Sequence, residues 1–127
     1  ALTFTNNYIS CYMQGVILDN GYQPSTLTNT EIRLYHSSTA QDPQYSPYSG
    51  INSLATGCIV SGGSIHMDAS ISGRGYGVHF GRGSSSDNHI SGVTFTNLEI
   101  DFTPYNIGTS TTYTGNSSIN VAYPYTP

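Results

Sequence analysis

The sequence predicts an all-β solenoid of about five coils, on the strength of two internal repeats and the lack of any helical signal. The segment TFTNNYI, Thr3 to Ile9, returns as TLTNTEI from Thr26 to Ile32 and as TFTNLEI from Thr94 to Ile100. The first two copies start 23 residues apart and the second and third 68 apart, close to three further steps of the same length. The segment GVILDNG is echoed later in the chain, where Gly77, Val78, Phe80 and Gly83 repeat Gly15, Val16, Leu18 and Gly21. No window shows a 3.6-residue period, and glycines interrupt every candidate helix.

Taken in order, the first coil runs from Leu2 to about Ser25, with a strand through Ile9, a polar corner, and then Val16 and Leu18 inward before the Asn20-Gly21 turn. Phe4, Leu27 and Phe95 alternate with threonines, so the apolar side chains face inward and the threonines face solvent. The second coil begins at Thr26 and leaves regularity at His36 in an excursion spanning residues 36–50, SSTAQDPQYSPYSG after the histidine. Loops of that length on a compact scaffold are more often functional than connective. The coil resumes near Ile51, and Ile65, Met67, Ala69 and Ile71 then alternate with Ser64, His66, Asp68 and Ser70 at period 2. Residues 1–102 therefore read as coils. The stretch 103–127, rich in Tyr, Thr and Pro and without a clear register, reads as a cap or an arm packing on a neighbouring subunit.

Composition narrows the partners. Among 127 residues only 8% are charged, lysine is absent, and the net charge is −4. Three scattered arginines, Arg33, Arg74 and Arg82, cannot compensate a run of phosphates, which argues against nucleic acid and against an anionic membrane. No stretch approaches the roughly 20 apolar residues that span a bilayer. The 11 tyrosines and the spaced Val, Ile and Phe supply enough apolar surface for a folded chain despite the Ser, Thr and Asn content. An opening Ala1 without a leader suggests a processed protein or an excised fragment. Cys11 and Cys58, 47 residues or about two coils apart, sit too far from each other for a disulfide and are expected as buried free thiols.

The order of motifs, an alternating apolar segment, Asn, two spacers, Ile and then a glycine-led short strand, resembles the coils of right-handed parallel β-helix proteins over most of residues 2 to 102. That group includes pectate lyases, polygalacturonases and phage tailspikes. The resemblance implies a right-handed single-stranded parallel β-helix, and contact with polysaccharides. Asn6, Asn29 and Asn97 fit the stacked, inward asparagine ladders of such folds, whose amides satisfy one another. The segment Gly75 to Gly83 is similar to the part of polygalacturonases that carries a GHG motif, but Tyr76 holds the histidine position. The paired carboxylates of that chemistry have no recognisable counterpart, and its Arg-x-Lys cannot exist in a chain without lysine.

Candidate chemistry gathers in three places. His66 and Asp68 lie side by side on the outer face, with His79 outward in what reads as an adjacent coil and Arg74 and Arg82 nearby. Such a cluster suits binding an acidic sugar, holding a metal or acid–base work, although solvated side chains at coil edges are the plainer reading. Glu31 and Glu99 share a repeat position and would form a carboxylate row, with Asp101 beside Glu99 as the exception to repeat equivalence. Tyr45 and Tyr48 in the excursion, with Tyr22 and Tyr35 flanking it and Tyr76 beyond, offer rigid platforms for sugar faces or seals between protomers. Asn116 with Ser117 and Ser118 forms a glycosylation sequon. No metal and no cofactor is expected.

These observations predict a polysaccharide-contacting module of tailspike type on an extracellular or virion surface, recognising a surface glycan. A polysaccharide-cleaving enzyme of the same fold and a structural filament subunit are the alternatives. Open ends of a short strand stack expose unpaired edges, so a longer chain or an oligomer, a trimer by the tailspike precedent, is expected to cover them.

Overall fold

A computed structural model of the chain describes residues 3–11, 14–18, 25–35, 48–53, 56–68, 75–80, 87–103 and 110–126. These residues are all-β, without a helix among them, and every strand pairing is parallel. The strands are β1 (Thr3–Thr5), β2 (Tyr8–Cys11), β3 (Gln14–Leu18), β4 (Thr26–Leu34), β5 (Tyr48–Ser53), β6 (Ile59–Met67), β7 (Gly75–Phe80), β8 (His89–Ser91), β9 (Thr94–Thr96), β10 (Ile100–Thr103), β11 (Thr112–Thr114) and β12 (Ser117–Ile119). One sheet has the order β1-β4-β6-β8-β11 and continues through β2, β9 and β12; the second runs β3-β5-β7-β10. Chain order thus alternates between two sheets stacked tier upon tier, an arrangement consistent with a β-solenoid.

Vertical columns of like residues explain the stack. Phe4, Leu27, Val60, Ile90 and Tyr113 fall in one column, and Ile9, Ile32, Ile65, Phe95 and Ser118 in another. Leu27, Ile32, Ile65, Ile90 and Phe95 are at most 1% exposed, and each such side chain removed from water contributes about 1.5–3 kcal/mol. Between these columns the chain turns through a left-handed residue in every tier: Asn6, Asn29, Gly62, Gly92 and Gly115 have φ of 56°, 49°, 68°, 64° and 64°. Only glycine and asparagine adopt that conformation at low cost, which is why both residue types share the position.

The uniform 23-residue period is corrected by the register. Thr3 pairs Thr26, Thr26 pairs Ile59, Ile59 pairs His89 and His89 pairs Thr112, giving steps of 23, 33, 30 and 23 residues. Extra residues enter outside the strands, so tiers stay aligned while sequence spacing does not. In consequence TFTNLEI is not a third copy in phase. Thr94, Phe95 and Thr96 lie over Ser64, Ile65 and His66, one strand further along the tier than Thr26 to Thr28. The motif encodes a short strand ending in a left-handed asparagine, and this chain uses it at two different corners.

The asparagine ladder is corrected for the same reason. Asn6 and Asn29 are exposed rather than inward, and Asn97 belongs to a second left-handed corner with Asn120, whose Nδ2 donates to Asn97 Oδ1 at 2.8 Å. Asn97 Nδ2 donates in turn to the Met67 carbonyl at 3.2 Å. Glu31 and Glu99 are likewise not equivalent: Glu31 stands in the column of Tyr8, Ser64, Thr94 and Ser117, whereas the Glu99 backbone bonds to Gly75 on the second sheet. No row joins them. The stretch after Thr103 does carry a register, since β11 and β12 add a further tier on β8 and β9. Asn116 is occupied structurally, its Oδ1 accepting from Val93 N at 2.9 Å and its Nδ2 donating to the Ile90 carbonyl at 3.1 Å.

The second sheet turns inward through two consecutive residues. Gly15, Gly50 and Gly77 stack at this corner, and each is followed by an apolar residue, Val16, Ile51 or Val78, that is also buried. A methyl group at these glycines would lie 2.6 Å, 2.9 Å and 2.4 Å from the carbonyls of Gly50, Gly77 and Asp101 in the next tier. It would also meet Ile32, Ile65 and Phe95 at 2.7 Å, 2.4 Å and 2.5 Å respectively. The aliphatic column of the first sheet thus fills the space that each glycine leaves.

Gly77→Ala is expected to lower unfolding stability by at least about 1–3 kcal/mol, because both neighbours are fixed, one of them backbone. Gly92→Asn, at a column that already holds Asn6 and Asn29, is expected to change it by less than about 0.5 kcal/mol. Denaturant melts followed by circular dichroism check the pair; equal effects would dismiss the distinction between the two corners.

Candidate functional site

The inward double residue at the glycine corner has an outward consequence. In Gly75–Phe80 the burial pattern sets Gly77 and Val78 inside and leaves Tyr76 and His79 outside, one on each flank. Their rings stack with centroids 5.8 Å apart and an interplanar angle of 29°. Ser49 occupies the Tyr76 position in the tier below and Ile100 in the tier above; Asn52 and Thr103 flank His79 in the same way. The outer face of β5, β7 and β10 therefore presents an aromatic pair inside a polar frame.

Three polar atoms of this frame are buried without a hydrogen-bond partner among the described residues: Ser49 Oγ, His79 Nδ1 and Thr103 Oγ1. Ser49 is fully buried, so its hydroxyl lies beneath the surface, whereas the His79 and Thr103 side chains are partly exposed. Burial lowers the His79 pKa below 6.5, which keeps the imidazole neutral with one donor and one acceptor nitrogen. Burial, followed by the charge of Glu99, raises the Tyr76 hydroxyl above its usual value. Among the described residues the face is thus uncharged apart from one neighbouring carboxylate.

The first sheet carries a different cluster. Asp68 accepts three hydrogen bonds from Arg33, from Nε to Oδ1 at 3.0 Å and from Nη2 to Oδ1 and Oδ2 at 2.8 Å and 3.0 Å. The guanidinium also lies over the Tyr35 ring, 4.6 Å from its centroid. Hydrogen bonds from this pairing, Asp68 first and Tyr8 second, hold the Arg33 pKa above its ordinary value. The expected cluster of His66, Asp68 and His79 is corrected here, because His66 and Asp68 belong to the first sheet and His79 to the second. Asp68 is bound to Arg33, and His66 stands in the column of Arg33 and Thr96. Among the described residues no three His, Cys, Asp or Glu side chains converge as a metal site would require.

Asp101 takes the place of glycine in the corner column at the last tier and is fully buried. Its Oδ1 accepts from the backbone N–H of Phe102 and of Tyr125, both at 2.7 Å. Its Oδ2 accepts from the hydroxyls of Tyr113 at 2.9 Å and Ser118 at 2.6 Å. The carboxylate fits because Ser118 replaces the large side chain that faces each glycine lower in the stack. Burial, then the bond to Asp101, pushes the Tyr113 hydroxyl well above its usual value. Phe80, Phe102, Tyr113 and Tyr125 pack ring on ring around this carboxylate. Asp101 thus holds the end of the stack together.

The remaining sequence candidates are placed as follows. Tyr22, Tyr45, Arg74 and Arg82 lie outside the described residues, as does the Tyr48 side chain, and the excursion is described only from Tyr48 onward. Cys11 and Cys58 are free; Cys58 is buried, with its thiol pushed up to about 12, whereas Cys11 is only half-buried. They also stand in different columns, Cys11 over Leu34 and Cys58 beside Asn88. Ser49, Asn52 and Thr103 were not singled out from sequence. The two consecutive inward residues in SGIN, YGVH and IDFT carry the signal that finds Asn52 and Thr103. Comparison of the chain with protein-family models, curated proteins and solved structures gives no match.

Two measurements follow. Asp101→Ala strands four donors at once and is expected to cost about 3–5 kcal/mol, while in Asp101→Asn the two hydroxyls can rotate to accept, limiting the loss to about 1 kcal/mol. Equal losses in denaturant melts would contradict this bonding scheme. The lowered His79 pKa means that the unfolded chain binds the proton first as pH falls. Stability is therefore expected to drop as pH falls through 6.5 toward the folded-state value, and His79→Gln is expected to flatten that part of the profile.

Proposed function

We propose that the chain is a polysaccharide-binding module built as a right-handed parallel β-solenoid of about five coils, and that a surface glycan docks on the Tyr76–His79 face. The observation that carries this reading is the stacked Tyr76–His79 pair on the outer face, with Asn52 and Thr103 in the tiers on either side of His79. A sugar ring fits such a face, since its C–H side lies against aromatic rings while its hydroxyls donate and accept at the rim. Among the described residues, neutral sugars suit the face better than acidic ones: the imidazole is uncharged, Glu99 is the adjacent charge, and Arg33 is engaged by Asp68. An extracellular or virion surface is the setting in which such a module meets its ligand. Binding stands ahead of cleavage because Asp68 is held by Arg33 and Asp101 by four donors, which leaves neither carboxylate free to activate water.

The test is a glycan array followed by calorimetry on the best neutral oligosaccharide. Tyr76→Ala and His79→Ala are each expected to weaken binding about tenfold, corresponding to roughly 1.4 kcal/mol. A preference for uronic acids would contradict the electrostatic argument, and undiminished affinity in both variants would remove this face from the reading.

A further inference from the structure

The outward column that holds Tyr76 continues along the stack. Ile100 pairs with Tyr76, and Tyr123 bridges to Ile100, so these three side chains fall on one line across three successive tiers. All three point out of the second sheet: Tyr76 and Ile100 are partly exposed and Tyr123 is 68% exposed, while Asp101, next to Ile100, is fully buried. Ser49, in the same column on the other side of Tyr76, is also fully buried, so the exposed line begins at Tyr76. The backbone beneath Tyr123 is fixed. Its N–H donates to the Glu99 carbonyl at 2.8 Å, and Pro124 after it favours extended backbone at Tyr123.

The spacing along this line has a chemical meaning. Stacked parallel strands stand about 4.8 Å apart, which separates Tyr76 from Tyr123 by about 10 Å along the stack. In an extended β-1,4-linked glycan each pyranose advances by close to the height of one tier, and each ring is turned half a revolution from the one before. The same ring face therefore returns at every second residue. Two tiers carry two residues, which sets like faces over Tyr76 and Tyr123 and the residue between them over Ile100. An α-1,4-linked chain coils and leaves the line. A chain laid along β7 would meet a single aromatic pair, because Gly77 and Val78 between Tyr76 and His79 face inward. The neighbouring outward column sets His79 beside Tyr76 and Thr103 beside Ile100, where they meet the edges of the sugar rings.

We infer that Tyr123 is a second aromatic platform of this face, and that its ligand is a neutral, extended β-1,4-linked chain lying parallel to the stack with at least three residues in contact. The inference rests on the reading of the Tyr76–His79 face as a glycan site and adds direction, length and linkage to it.

Calorimetry of the full chain with disaccharides, trisaccharides and hexasaccharides of β-1,4-linked glucose, mannose and N-acetylglucosamine, and of α-1,4-linked glucose, tests it. In the best β-linked series affinity is expected to rise about tenfold from disaccharide to trisaccharide, since only the trisaccharide reaches both rings. The α-linked trisaccharide is expected to bind at least about tenfold more weakly. Tyr123→Ala, with an unchanged circular dichroism spectrum, is expected to abolish the gain with length and leave disaccharide binding within about twofold, whereas Tyr123→Phe keeps the gain. The wild-type series by length and linkage needs no variant. Weakened binding in Tyr76→Ala with full trisaccharide affinity in Tyr123→Ala would overturn the second platform and leave the Tyr76–His79 face standing. Equal or tighter binding of the α-linked trisaccharide would overturn the linkage. Absence of binding by every neutral oligosaccharide would remove the glycan reading itself, and this inference with it.

Discussion

The spacing between stacked parallel strands, about 4.8 Å, is set by backbone hydrogen bonds and cannot stretch to admit a side chain pointing along the stack. At the corner of the second sheet the chain turns so that a Cβ would point that way, into the carbonyl of the tier above. Glycine is the physical answer at Gly15, Gly50 and Gly77, and the space it leaves is taken by Ile32, Ile65 and Phe95 from the other sheet. Small against large, repeated tier by tier, locks the two sheets at one separation. The polar version at the last tier, Asp101 against Ser118, keeps the same complementarity with the sizes exchanged.

The candidate site is a by-product of that lock. Turning two consecutive residues inward forces the residues on either side outward, three positions apart, where an ordinary strand would send them to opposite faces. Tyr76 and His79 consequently stack beside each other, and Asn52 and Thr103 repeat the geometry one tier away. The regular vertical spacing of this face is the feature on which the proposed polysaccharide reading rests.

How much of this could be read in the residues depends on which signal each feature left. The parallel all-β architecture was legible, because inward apolar residues alternate with Thr and Ser and the Gly15-Val16 and Gly77-Val78 pairs recur. Their shared register through Gly50-Ile51 bears that out. The phase was not legible. A short strand followed by a left-handed asparagine is a local instruction that works at either of two corners, so TFTN at Thr94 looked like TFTN at Thr3 while lying in another column. Glycine replaces asparagine at Gly62, Gly92 and Gly115, which hid three members of the true column from a search for Asn. From that one slip came both the asparagine ladder and the pairing of Glu31 with Glu99. The Arg33–Asp68 pair joins residues 35 apart across steps of unequal length, and no local pattern announces it.

The described tiers are not all held by the same chemistry. Interior tiers are interchangeable in kind, so nothing within them says where stacking should stop. At the corner column the residue opposite Asp101 is Pro124, which has no N–H to donate. A proline alone would leave the last core rings open to water. The buried carboxylate solves this by drawing Tyr113, Ser118 and the Tyr125 backbone over Phe102, so the aromatic rings cover the end while every acceptor site on Asp101 is filled. In β1 and β2 the corresponding core positions are Phe4 and Ile9, partly buried against the core. Polar chemistry is thus concentrated in the tier of Asp101, while the tier of β1, β2 and β3 is held by apolar contacts with the tier above it.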